Sequence, residues 1–261
     1  MRIATWNVNS IRARVDRVTA FLERHDVDVL AVQETKCRDD QFPHLAFEGT
    51  GYAVAHTGLN QWNGVAILSR VGLDDIQVGF DAVPGWGDPS VVEARAISAL
   101  CSGVRVWSLY VPNGRGLGDP HMDYKLDWLE RLRQAGAGWL EQDPQAQVAL
   151  MGDWNIAPQD DDVWSMAYYE DKSHVSPPER AAFTGVVDAG YADVVRPHVP
   201  AGAFTYWDYT QLRFPKKQGM RIDFALGSPA LAQRVTGASI DREERKGKGA
   251  SDHAPVIVDL V

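Results

Sequence analysis

One short stretch constrains this chain more than any other: Val148-Ala149-Leu150-Met151-Gly152-Asp153-Trp154-Asn155. Four apolar residues run into a glycine, and a carboxylate and an amide then stand two positions apart. Residues two apart on an extended chain point to one face. Asp153 and Asn155 are therefore expected to project together from the end of a buried strand, with Gly152 letting the backbone turn. A carboxylate able to take a proton beside an amide able to donate hydrogen bonds is half of a hydrolytic site. The same pattern also suits a plain Asx-type turn closing a strand, so the surrounding chain must decide.

Other segments repeat the theme of an apolar run ending in polar residues. Ile3 to Val8 reads as a strand ending at Asn7 and Asn9, after which Ser10 is expected to cap a helix striped by Ile11, Val15, Val18 and Leu22. Arg12, Arg14 and Arg17 fall off that stripe and read as a solvated face. Asp28 to Val32 delivers Gln33-Glu34-Thr35. Tyr52 to His56, Gly64 to Leu68, Val91 to Leu100 and Val104 to Val111 have strand pattern, and the last opens onto Tyr110-Val111-Pro112-Asn113-Gly114-Arg115. Asp119-Pro120 begins a helix through Met122, Leu126, Leu129 and Leu132 toward Leu140. Asp160-Asp161-Asp162 reads as a helix start or solvated loop rather than a metal cluster. A helix from Ser176 to Val187, a strand from Met220 to Leu226, and Ser251-Asp252-His253 before a last strand, Val256 to Leu260, complete the chain.

Strands outnumber helices and many are neighbours in sequence. Two packed sheets with helices outside fit this better than one doubly wound sheet. No linker or low-complexity segment divides residues 1–261, so one domain is expected. Trp-Asn recurs at 6–7 and 154–155, a faint hint of two similar halves.

The polar strand ends are Asn7, Glu34, Tyr110, Asn113, Asp153, Asn155, Asp223, Asp252 and His253. Carboxylates ~4 Å apart repel by on the order of 4 kcal/mol at an effective dielectric of ~20, so a shared cleft calls for a cation. Oxygen ligands with one histidine and no thiolate select Mg²⁺ or Mn²⁺ over Zn²⁺. His253 is suited to binding a phosphate oxygen, with Asp223 on its other ring nitrogen. A structural histidine and an ordinary half-buried Tyr110 are the bland alternatives.

Charge does not choose the partner. The chain has 26 basic and 35 acidic residues, a net −9. That disfavours a polyanion on average, but acids gathered in a cleft leave basic residues free to line its rim. The opening residues lack the apolar core of a signal peptide, no apolar run approaches ~18 residues, and Cys37 and Cys101 read as unpaired thiols. A cytoplasmic protein is expected.

Taken together, Thr5-Trp6-Asn7-Val8-Asn9, Gln33-Glu34-Thr35-Lys36, Gly152-Asp153-Trp154-Asn155-Ile156-Ala157-Pro158, Arg221-Ile222-Asp223 and Ser251-Asp252-His253-Ala254-Pro255 resemble the exonuclease III family of class II abasic-site endonucleases, within the endonuclease/exonuclease/phosphatase superfamily. The motifs occur in family order across almost the whole chain. The resemblance implies a four-layer α/β sandwich, two mixed β-sheets face to face with helices outside. It implies an Mg²⁺-dependent hydrolase that incises duplex DNA 5′ to abasic sites and trims 3′ ends; a monomer is expected. Glu34 would be the main metal carboxylate, with Asn7 and Asp252 near the ion and Asp153, Asn155 and His253 as further ligand candidates. Asp153 would activate water and Asn155 orient it; His253, backed by Asp223, would bind the phosphate opposite Tyr110 and Asn113. Tyr206, Trp207, Met220 and Ile222 are candidates for an abasic-sugar pocket, and Arg115 with the Arg213–Lys217 patch for contacts to the duplex. Two departures stand out: Tyr206 replaces the tryptophan of some relatives, and Asn9 replaces an aspartate. A superfamily phosphoesterase acting on RNA, inositol phosphates or a lipid head group is the main rival, and a non-catalytic binding module on the same fold is the second.

Overall fold

The computed structural model describes residues 1–261. Short apolar runs bounded by glycine, proline and charged residues form twelve strands in two six-stranded mixed sheets. The first sheet contains β1 (Arg2–Asn7), β2 (Val29–Gln33), β3 (Ala53–Thr57), β4 (Val65–Ser69), β11 (Val235–Ile240) and β12 (Val256–Leu260), in the order β11-β12-β1-β2-β4-β3. The second contains β5 (Asp74–Val78), β6 (Ala96–Cys101), β7 (Val104–Tyr110), β8 (Val148–Asp153), β9 (Ala192–Asp193) and β10 (Asp223–Gly227), in the order β5-β6-β7-β8-β10-β9. Helices α1 (Val15–Arg24), α2 (Leu45–Glu48), α3 (Pro120–Gln142), α4 (Met166–Tyr169), α5 (Pro177–Asp188) and α6 (Pro229–Ala232) complete the regular structure. The expected α/β sandwich of two face-to-face sheets is what the chain forms.

Strand alternation explains the layering. In β8, Ala149 and Met151 point into the core between the sheets, where they meet Ile3, Val29, Ile67, Val106, Ala225 and Val258. Val148 and Leu150 point the other way, onto Trp128, Leu129 and Leu132 of α3 and Phe183 and Val186 of α5. In the first sheet Trp6, Leu30 and Val32 face Val18, Phe21 and Leu22 of α1. Each fully buried side chain of this kind contributes ~1.5–3 kcal/mol. Proline at the first turn and Asp119 accepting from the His121 N–H fix where α3 starts.

The two sheets are built alike. β1 runs parallel to β2 and antiparallel to β12; β8 runs parallel to β7 and antiparallel to β10. The two Trp-Asn pairs thus end corresponding strands, and the C-terminal ends of β1, β2, β7 and β8 lie with the N-terminal ends of β10 and β12.

Several expectations differ at their edges. The first helix starts at Val15 rather than after Ser10, whose φ is +92°. The Ser10 and Ile11 N–H groups donate to the carbonyls of Glu34 and Thr35, so pairing with the neighbouring strand end continues past β1 and delays the helix. Arg14 and Arg17 are not simply solvated: they donate to the carbonyls of Lys246, Lys248, Gly249 and Ala250 and so fasten the loop before His253. The strand expected from Val91 begins at Ala96; exposed Val91 pairs only with Trp86. β10 begins at Asp223, while Met220 pairs with Val163 and Tyr206. The sequence pattern does not predict β5, β9 or β11: they lie at sheet edges, β9 is only two residues long, and β5 is exposed throughout, so none carries a buried alternation.

Candidate active site

The strand ends bring Glu34, Asp153 and His253 together, with one donor atom from each lying within 4.8 Å of the others. Glu34 follows β2 and Asn155 follows β8, both in the left-handed region at φ +52° and +50°. Side chains other than glycine seldom adopt that conformation, and such strain concentrates at sites that need a particular aim. Asn7 joins the two sheets: its Nδ2 donates to Glu34 Oε1 at 2.8 Å and to Asp153 Oδ2 at 2.9 Å. Asp223, opposite Asp153 across the β8–β10 pair, accepts from His253 Nδ1 at 2.8 Å. The other ring nitrogen of His253 stands 3.7 Å from Asp153 Oδ2.

Burial and charge act against each other here. Burial alone would lower the pKa of His253, but the Asp223 and Asp153 carboxylates outweigh it and push it up to about 10. Burial raises Asp153 to about 7; His253 pulls it back, and the charges on Asp223 and Glu34 add to the rise. Glu34 ends below the usual range, because Lys36 and the Asn7 amide overcome its desolvation. The Lys36 ammonium lies 2.7 Å from Glu34 Oε2. Tyr110 is held as a neutral phenol, raised far above 10 by burial and by the nearby Glu34 charge. The result is a buried imidazolium, two close carboxylates and a neutral hydroxyl: donors for an anion, a base, and oxygen ligands for a cation.

The model of the Endonuclease/Exonuclease/phosphatase family matches residues 4–253. The chain is 31% identical to an exodeoxyribonuclease of Bacillus subtilis (strain 168), over 98% of both chains. It belongs to that family. Among solved structures, a 3′ phosphatase, NExo, from Neisseria bound to product DNA hairpin superposes with a TM-score of 0.94 and 35% identity, covering 100% of this chain and 99% of that one. An AP endonuclease from Archaeoglobus fulgidus superposes with a TM-score of 0.91 and 32% identity over the same shares.

In this member of the endonuclease/exonuclease/phosphatase family the other expected residues are distributed unevenly. Asp252 lies outside the group of three; its carboxylate accepts from Asn9 Nδ2 at 3.0 Å. Asn7 turns its N–H₂ toward the acids, while its oxygen accepts from the Asn9 N–H. The Asn155 side chain donates to the Val111 carbonyl and accepts from Asn113 Nδ2 at 3.2 Å, while its backbone N–H donates to Asp153 Oδ1 at 2.9 Å. Tyr206 packs on His253, its ring 4.9 Å away, and Met220 and Ile222 form a small apolar cluster beside it with Val163 and Val175. Trp207 does not join them. It is buried against Phe214, on the opposite side of the extended segment from Tyr206. The Arg115 guanidinium lies over the Trp86 ring, and the Arg213 guanidinium over Tyr168 and Trp164.

Three residues escaped the sequence reading. Buried Lys125 donates to Asn113 O at 3.2 Å, Asn155 O at 2.6 Å and Glu179 Oε1 at 2.5 Å. Glu179 also accepts from the backbone N–H groups of His174 and Ser176. His174, whose pKa burial lowers to about 4, places Nε2 3.2 Å from Asn155 Oδ1 and 3.4 Å from Asn113 Nδ2. Only Lys125 had a visible signal: a lysine in an apolar helical stretch, next to Tyr124 and Leu126.

Proposed function

We propose that this chain is a divalent-cation-dependent DNA phosphodiester hydrolase of DNA repair, trimming 3′ ends and incising 5′ to abasic sites. The observation that carries this reading is His253 clamped between Asp223 and Asp153, with Asn7 tying Asp153 to Glu34. A phosphodiester is anionic and repels its nucleophile, so a competent site must neutralise it first.

Glu34 and Asp153 would hold the cation, and their chemistry fits one. Both are oxygen ligands, and the burial that raises Asp153 is the penalty a bound positive charge relieves. Hard oxygen donors favour Mg²⁺, with Mn²⁺ acceptable. When bound, the ion supplies positive charge to the phosphate oxygens and to the leaving 3′-oxygen.

The chain's own groups do the rest. Asp153 takes the proton of the attacking water. His253, kept protonated by two carboxylates, donates from Nε2 to a phosphate oxygen and is better suited to that than to binding metal. Tyr110 and Asn113 donate from the other side, and Asn155 aligns Asn113. Tyr206, Met220 and Ile222 supply the apolar surface suited to an unstacked sugar. The protein is proposed to act in the cytoplasm as a monomer, and no helix of the chain is long and apolar enough to cross a membrane.

The test is a panel of labelled duplexes carrying one abasic site, a 3′-phosphate or an undamaged recessed 3′ end, run beside single-stranded RNA and inositol phosphates, with Mg²⁺ or with chelator. Cleavage of DNA in the Mg²⁺ lanes alone is expected. Turnover of RNA or inositol phosphates without DNA cleavage would assign the site to another phosphoester.

A further inference from the structure

Tyr206 and Trp207 face opposite ways, so the segment that contacts His253 on one side floors a separate hollow on the other. That cavity is about 440 Å³, with Trp207, Phe204, Ile240 and Pro200 in its walls and Lys217 and Arg242 at its rim. This volume lies within the range of small-molecule sites, which combine apolar walls with a few placed polar groups.

The rim charges have no acidic partners. The chain has more acids than bases, 35 against 26, yet no carboxylate lies within 4.0 Å of either Lys217 or Arg242. The nearby acids are engaged elsewhere: Asp241 with Arg24 and His25, Glu243 with Lys246, and Glu244 with Arg17 and Arg24. The Arg242 guanidinium lies 5.6 Å from the Trp207 ring centroid and 4.1 Å from that of Phe214; its Nη2 donates to the Phe214 carbonyl at 3.5 Å, and the rest of the fork has no acidic partner to keep it from an anion.

We propose that this cavity binds a nucleoside 5′-monophosphate, its base against the half-buried Phe204 and its phosphate on Lys217 and Arg242. An aromatic ring among aliphatic walls suits a base of any sequence, and a guanidinium with an ammonium suits a phosphate. The choice among aromatic anions rests on the nuclease reading above, because trimming a 3′ end releases this molecule. The cavity is joined to the candidate site through the backbone, since the Trp207 N–H donates to the Asp252 carbonyl and Tyr206 pairs with His253.

The experiment is calorimetric titration of dAMP, adenosine and inorganic phosphate into the full-length protein in chelator, with duplex cleavage in Mg²⁺ measured on the same preparations. Saturable dAMP binding is expected, tighter than adenosine or phosphate alone. It should weaken about tenfold, equivalent to ~1.4 kcal/mol, in Arg242→Met and in Lys217→Asn, and stay unchanged in His253→Ala. Asn is chosen at position 217 because the backbone there is left-handed, φ +57°. Absence of saturable binding, binding lost only in His253→Ala, or phosphate binding as tightly as dAMP would each overturn the proposal. Any of these results with DNA cleavage intact removes this site and leaves the nuclease reading standing; absent cleavage with dAMP binding as described removes the nuclease reading alone.

Discussion

Lys125 Nζ lies 2.5 Å from Glu179 Oε1 with both side chains wholly buried. The same ammonium holds the carbonyl oxygens of Asn113 and Asn155, so one ion pair on two helices fixes the loops that follow β7 and β8. Breaking a buried pair leaves an uncompensated charge and costs ~3–5 kcal/mol. Lys125→Met and Glu179→Leu should each lower the denaturant midpoint accordingly, and the double substitution should cost less than the sum. Additive losses in that cycle would show that the two groups act independently.

Asp153→Asn should reduce cleavage by about 10²–10⁴-fold, the usual worth of a positioned base, while duplex binding measured by anisotropy persists. Cleavage within about tenfold of the parent would remove Asp153 from the proton-accepting role.

Asp223 works through His253, so the two should not be additive. Asp223→Asn is expected to slow cleavage, whereas adding Asp223→Asn to His253→Ala should change the rate little. A second full loss in the double variant would give Asp223 a role of its own.

Removing divalent cation should stop cleavage and lower the melting temperature toward that of a Glu34→Gln variant. Mg²⁺ should raise the melting temperature of the parent and not of that variant, because only a species bound by the native state stabilises it. Equal shifts in both would place the cation elsewhere.

His121 makes a testable acid-lability element. Burial, aided by the charges of Arg95 and Arg115, lowers its pKa to about 4, and its Nδ1 accepts from the Gly114 N–H at 3.1 Å. The unfolded chain takes up a proton near pH ~6.5 that the folded chain refuses until about 4. The stability due to this neutral histidine is therefore complete above pH ~6.5 and lost as the pH falls toward 4. His121→Gln should flatten the fall in denaturant midpoint across that window; an unchanged slope would show that other groups set it.

The residues visible in the sequence share one property: each ends or begins a strand whose apolar run marks it. Glu34, Tyr110, Asp153, Asp223 and His253 were found this way, because a buried strand that stops at a polar side chain delivers it to a surface where strands end together. The partners of Lys125 and His174 are not legible in this way: a lysine in an apolar helical stretch marks Lys125 as unusual, but which groups it and His174 meet is set by how α3, α5 and the loop before α5 dock. The facing of Tyr206 and Trp207 was equally hidden. Their segment is held by isolated pairings with Met220 and His253 rather than by a strand with readable alternation. The late start of α1 has a similar origin, because backbone pairing beyond Asn7 depends on a partner that is distant in sequence.

Each sheet contributes part of the site, and the gap between the sheets sets how far apart those parts stand. Within that gap Gln33 Nε2 donates to Ser108 Oγ at 2.9 Å, Ser108 Oγ donates to the Val32 carbonyl at 2.8 Å, and the Thr5 hydroxyl of β1 donates to Gln33 Oε1 at 3.2 Å, a polar rivet between β2 and β7 in a largely apolar core. A methyl group gained or lost in that interior would act as a shim, moving Glu34 relative to Asp153 without touching either. Reaction rate in this enzyme thus becomes a gauge of interior volume, readable from positions that never approach the substrate.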